Sequence, residues 1–97
     1  MKRYTRGSEV LVAACDEHLL GRTLREGELR LEVSSFYDGE RVTEEEFVAS
    51  LRLATIGNFV GRDTVAAAKR AGFVSDRGVL WIQGEPHAQV IVMTGSN

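Results

Sequence analysis

The segment Glu9-Val10-Leu11-Val12-Ala13-Ala14-Cys15 constrains the chain most, because it is apolar at every position after the first. Such a run reads as a strand buried on both faces, and a strand of that kind needs neighbours on each side. Lys2–Arg6 can pair back on it through a turn at Gly7-Ser8, giving a polar edge strand. Glu28–Ser34 has the cleanest period of two in the chain. There Leu29, Leu31 and Val33 point one way, while Arg30, Glu32 and Ser34 point the other. Between these strands Asp16 is expected to cap a brief helical turn over Glu17–Leu20 that Gly21 ends, and Arg22–Gly27 reads as a loop.

The middle of the chain reads as two helices. Thr43-Glu44-Glu45-Glu46 has the form of a capping box, and its glutamates suit the positive end of a helix dipole. Phe47, Leu51, Ala54 and Thr55 then mark one face of a helix over about 43–55. Gly57-Asn58 interrupts it, and a second, alanine-rich helix is expected from about Arg62 to Ala71, closed by Gly72 as a left-handed cap. The last third is a hairpin candidate: Val79–Ile82 and Ala88–Met93 flank a turn at Gly84-Glu85-Pro86. Thr94–Asn97 reads as a frayed polar tail. Helices grouped between strands imply an α+β fold. The expected form is a two-layer sandwich, with a mostly antiparallel sheet of about four to five strands and two helices on one face.

Ninety-seven residues suit one domain, with no linker, repeat or low-complexity stretch to divide it. No apolar run approaches the ~20 residues that cross a bilayer, and the polar start is not a secretory leader. One cysteine excludes an internal disulfide and fits a reducing compartment, so a cytoplasmic location is expected. The formal net charge of −2 argues against a global nucleic-acid footprint. The charge is nevertheless uneven. Residues 1–30 hold six basic against five acidic side chains, residues 31–50 one against six, and the remainder five against three.

Several constellations could carry chemistry. Cys15, His18 and His87 are one metal or nucleophile set, since zinc accepts sulfur and nitrogen and a thiolate needs a neighbouring base. The plainer reading makes Cys15 a small buried group and His18 an exposed helix residue, because structural zinc sites want four ligands. Gly57–Arg62 could hold a phosphate on helix amides, with Asn58 and Arg62 assisting, but it matches neither a P-loop nor a dinucleotide fingerprint. His87 and Gln89 lie two apart on one strand face and are expected to be internally paired unless that face is open. Arg22 and Arg25, with Arg3, Arg6 and Arg30 nearby and Tyr4 as a stacking face, form the best basic cluster. No motif calls for a cofactor.

Four stretches together resemble a known family: Ala13–Gly21, Leu29–Ser34 leading into Phe36-Tyr37-Asp38-Gly39, Ala54–Gly61, and Pro86-His87-Ala88-Gln89-Val90. In order and spacing they are similar to the uncharacterised archaeal domain-of-unknown-function family numbered 424, over nearly the whole chain. The resemblance implies a small cytoplasmic α+β domain, and company with the translation machinery by genomic association. It supplies no catalytic residues.

The expectation is therefore a non-enzymatic binding or adaptor domain whose partner is RNA or a ribosome- or translation-associated protein. Its candidate surface runs from Arg22 and Arg25 to His18 and His87. Two alternatives stand beside it: a small metal-binding or hydrolytic domain using Cys15, His18 and His87, and a homo-oligomeric interaction domain.

Overall fold

The computed structural model describes residues 1–92, so the expected tail at 94–97 lies outside the described residues. Seven strands and two helices follow one another as β1 (Lys2–Arg6), β2 (Glu9–Cys15), β3 (Thr23–Glu26), β4 (Leu29–Glu32), α1 (Glu44–Leu51), β5 (Ile56–Val60), α2 (Arg62–Arg70), β6 (Val79–Ile82) and β7 (Glu85–Ile91). Five strands make one sheet in the order β1-β2-β5-β7-β6, and β3 and β4 form a separate hairpin. All pairings are antiparallel except β2 with β5, which run parallel with Leu11 opposite Ile56 and Cys15 opposite Val60. The fold is α+β, with both helices on one face of a mostly antiparallel sheet.

The apolar run of β2 is covered on both sides, as its composition requires. Val12 and Ala14 face the helices and pack with Phe47, Leu51, Phe59, Val65 and Ala68. Ala13 faces the other way, with Leu24 and Val33 of the hairpin region, Leu19, Tyr37, Val60 and Ile82. The second cluster adds a partial third layer to the expected two. Leu24 and Val33 are fully buried there, each contributing roughly 1.5–3 kcal/mol relative to exposure.

The structure corrects the sequence reading at four places. Residues 23–26 are a strand, not part of a loop, because Leu24 can bury itself beneath the sheet only when it pairs with Leu31. Residues 56–60 are the central strand of the sheet, not a connection between helices. Ile56, Phe59 and Val60 favour a pleated, doubly covered position, and Gly57 weakens a helix. Gly57 also accommodates the Phe59 ring, which folds back over it on the same face. The first helix consequently stops at Leu51, with its capping box formed as expected: Glu46 N donates to Thr43 Oγ1 at 3.1 Å and Thr43 N to Glu46 Oε1 at 2.9 Å.

The last correction concerns the turn of the final hairpin, which is Gln83-Gly84, both with positive φ (53° and 79°). That is the mirror-image turn whose twist suits a two-residue hairpin. Gln83 is an unusual occupant, and its amide and side chain are both engaged: Gln83 N donates to Glu26 Oε1 (2.7 Å), and Arg25 N donates to Gln83 Oε1 (2.9 Å). Pro86 falls inside β7 rather than in the turn. Its missing N–H would face Gly61, whose carbonyl instead accepts from Val65 N at 2.9 Å in the first turn of α2. No ladder partner is orphaned, so an interior proline costs little here.

Candidate functional site

The carboxyl ends of two parallel strands leave a crevice wherever the chain departs in different directions, and open α/β sheets receive ligands there. β2 leaves through Asp16 into a 3₁₀ turn at Glu17–Leu19, while β5 leaves through Gly61 directly into α2. A cleft of about 710 Å³ opens at this point, between Cys15 at the strand end, the amino-terminal turns of α1 and α2, and the loop 38–42. That volume lies within the range typical of small-ligand sites.

Asp16 holds the cleft's inner wall together. Its carboxylate is buried and does not cap the turn that follows it in sequence. It reaches instead to α2, where Oδ2 accepts from Asp63 N (3.1 Å) and Oδ1 from Thr64 N (2.9 Å) and the Thr64 hydroxyl (2.8 Å). A carboxylate is the stronger acceptor for helix-end amides. Because it occupies these donors, the amides that could have held a phosphate are already satisfied by the protein.

Cys15 and Tyr37 lie beside the cleft. Burial, reinforced by Asp16 and Asp38, pushes the Cys15 thiol up against the opposing pull of the Met1 amino group. Burial and the neighbouring Cys15 push Tyr37 to about 12. The Tyr37 hydroxyl donates to Asn58 Oδ1 at 2.5 Å, so the phenol is a fixed neutral donor. At neutral pH the cleft therefore holds a protonated thiol rather than an activated nucleophile.

The rim is acidic. Arg41 is tied to Glu17 through two hydrogen bonds (2.5 and 2.6 Å), and Arg70 to Glu44 through two more (3.2 and 2.6 Å). The Glu44 carboxyl is held below its ordinary range by the Arg70 bond. With both arginines paired, Asp38, Glu40 and Asp63 outnumber the remaining cation of the lining, the Met1 amino group that donates to Glu40 O, and leave an excess of negative charge. Asp38, Arg41, Thr64 and Arg70 were not singled out from sequence. The signal within reach was Phe36-Tyr37-Asp38-Gly39, an aromatic pair running into a tight acidic turn after a strand.

The residues expected to form a site are distributed differently. His18 is exposed on the 3₁₀ turn, with Arg22 close behind it, since Arg22 N donates to Leu19 O (3.0 Å). Arg25 lies on the exposed side of the hairpin, opposite Arg30. His87 is half-buried on the hairpin side of the sheet. Its Nδ1 lies 3.0 Å from the Phe59 carbonyl oxygen, which fits the tautomer donating from Nδ1. Burial holds His87 below its ordinary range, and the Phe59 bond opposes that only in part. Gln89 shares this face and is exposed, while Asn58 is tied to Tyr37. Arg62 is on the helix side, donating to Gly84 O at 3.0 Å. Among the described residues no three His, Cys, Asp or Glu side chains gather as metal ligands, so Cys15, His18 and His87 do not form one centre. No helix among the described residues is long and apolar enough to cross a membrane.

Comparison with known proteins gives the fold a family. A search of curated proteins finds no match. The chain is similar to a solved structure described as an uncharacterized conserved protein from Methanopyrus kandleri, with a TM-score of 0.81 and 24% identity over 99% of this chain and 92% of that one. At that identity the likeness speaks for the fold alone. The family model described as protein of unknown function DUF424 matches residues 4–93, and the chain belongs to that family.

Proposed function

We propose that this domain is a non-enzymatic binding or adaptor module that receives a basic segment of a protein partner in the cleft at the carboxyl ends of β2 and β5. The carrying observation is the charge of that cleft: its two arginines are committed to Glu17 and Glu44, leaving Asp38, Glu40 and Asp63 against the single Met1 amino group, a net negative field. A lysine or arginine side chain entering it meets opposite charge, together with apolar contact from Leu20, Val42 and Phe47. RNA, the other partner class expected from sequence, has weaker support. The arginines of the β3–β4 hairpin alternate with Glu26, Glu28 and Glu32, and Arg30 is paired with Glu32 at 2.6 Å. A ligand carrying one phosphate per nucleotide gains little from a neutral strip. The protonated Cys15 favours binding over thiolate catalysis.

The test is a calorimetric titration with an arginine- and lysine-rich peptide and, in parallel, a single-stranded RNA of equal length. The peptide is expected to bind with a salt-dependent constant that falls about 2–5-fold in Asp38→Asn, as one rim charge pair contributes up to about 1 kcal/mol. RNA binding that disappears in Arg22→Ala/Arg25→Ala, with no peptide binding, would replace this reading with the RNA one.

A further inference from the structure

Two carboxylates on the rim of the cleft already hold guanidinium groups. Glu17, on the turn after β2, accepts from Nε and a terminal nitrogen of Arg41 at 2.5 and 2.6 Å. Glu44, in the first turn of α1, accepts from the same pair of atoms on Arg70 at 3.2 and 2.6 Å. Each contact is the side-on fork by which a carboxylate takes an arginine. A lysine ammonium, a single point of charge, cannot reproduce it. The kind of group these carboxylates accept is therefore displayed by the chain itself.

The two occupants differ in what they hold. Arg70 ties α2 to α1, whereas Arg41 reaches from loop 38–42 to the turn after β2, with side chains 82% and 63% exposed in the Arg41–Glu17 pair. A pair this exposed biases an equilibrium by no more than about fivefold, so an arginine from outside can take the place of Arg41. The exchange requires no movement of the backbone. The loop is pinned separately: Glu40 N donates to Met1 O (2.9 Å), the Met1 amino group donates to Glu40 O (2.8 Å), and a Cβ on Gly39 would run into the Met1 carbonyl. Among the described residues the Arg41 guanidinium has no hydrogen bond to any group but Glu17. It can leave as a side chain alone.

We infer that Arg41 is an internal competitor for the cleft, occupying a guanidinium seat on Glu17 that an arginine of the bound segment takes over and a lysine does not. This rests on the reading of the cleft as a receptor for a basic segment, and adds to it a residue preference and a brake on affinity. The exchange is neutral in charge at Glu17. Asp38, Glu40 and Asp63 supply the attraction, and displacing Arg41 subtracts from it.

The test is a calorimetric titration of the whole chain with two peptides of one sequence, carrying arginine or lysine at every basic position. Arg41→Ala should tighten the arginine peptide about three- to fivefold and the lysine peptide about twofold or less. Loss of a positive charge helps both, while the freed carboxylate edge favours only the fork. In a Glu17→Gln background the same substitution should leave the ratio between the two peptides unchanged. Wild-type binding that Arg41→Ala leaves as it was, an equal gain for both peptides, or a ratio that still shifts without Glu17 would overturn the role of Arg41 while the cleft remains a receptor for basic segments. Binding of neither peptide to wild type or to Arg41→Ala would remove that receptor reading, and the competitor with it.

Discussion

The carboxylate of Asp16 accepts two hydrogen bonds from Thr64, one from its amide and one from its hydroxyl, across 48 residues of chain. It joins the end of β2 to the start of α2 and so fixes the wall of the cleft. Asp16→Ala removes three acceptor contacts and leaves amides of α2 without partners, which should cost about 2–3 kcal/mol. Asp16→Asn retains one oxygen and should cost roughly half as much. Urea unfolding midpoints of the two variants check the order.

Gly61 is the neighbour that makes this contact possible. Its φ of +110° is one that residues with a side chain rarely adopt, and a Cβ there would run into the Asp16 carboxyl group. Gly61→Ala combines backbone strain with displacement of the cap, and a loss of about 2–4 kcal/mol is expected. If the loss comes from displacing Asp16, adding Asp16→Ala should cost much less in the Gly61→Ala background than in wild type. A double-mutant cycle measures that coupling.

His87 titrates below its ordinary value because burial disfavours the imidazolium. The unfolded chain therefore binds a proton more readily than the folded one, so this residue's contribution is fully present above about pH 6.5 and is lost as pH falls through the lowered folded value. Thermal midpoints of wild type should drop between pH 7.5 and 5.5, and His87→Gln should flatten that part of the profile. An unchanged slope in the variant would remove His87 as its source.

Tyr37 and Cys15 share a buried corner, and both are held in their neutral forms. Alkylation of Cys15 by iodoacetamide at pH 8 should be slower than that of a free thiol, and should speed up when the chain is unfolded in urea. Tyr37→Phe strips Asn58 of a donor and should cost about 1 kcal/mol. Ultraviolet titration should show the Tyr37 phenolate appearing only near pH 12 in wild type and missing from the variant.

What could be read from the sequence was local. Thr43 and Glu46 sit three apart and close their capping box without outside help. The same holds for the end of α2, where Phe73 N bonds Ala68 O and Gly72 N bonds Lys69 O, both at 2.9 Å. The unbroken apolar stretch of β2 announced a strand covered on two sides, and the α+β class followed from the order of the elements.

Tertiary contact decided the rest. Local propensity at Ile56, Phe59 and Val60 only leans towards a strand, and the place of Ile56–Val60 at the centre of the sheet comes from pairing with β2 and β7, residues far away in sequence. Likewise Asp16 carries the signature of a cap for the turn that follows it, yet its carboxylate is spent on α2. Capping and alternation are short-range and depend on neighbours within a few residues. The cleft is made by chain segments that meet only after the sheet has closed, so its position and charge were set by the fold.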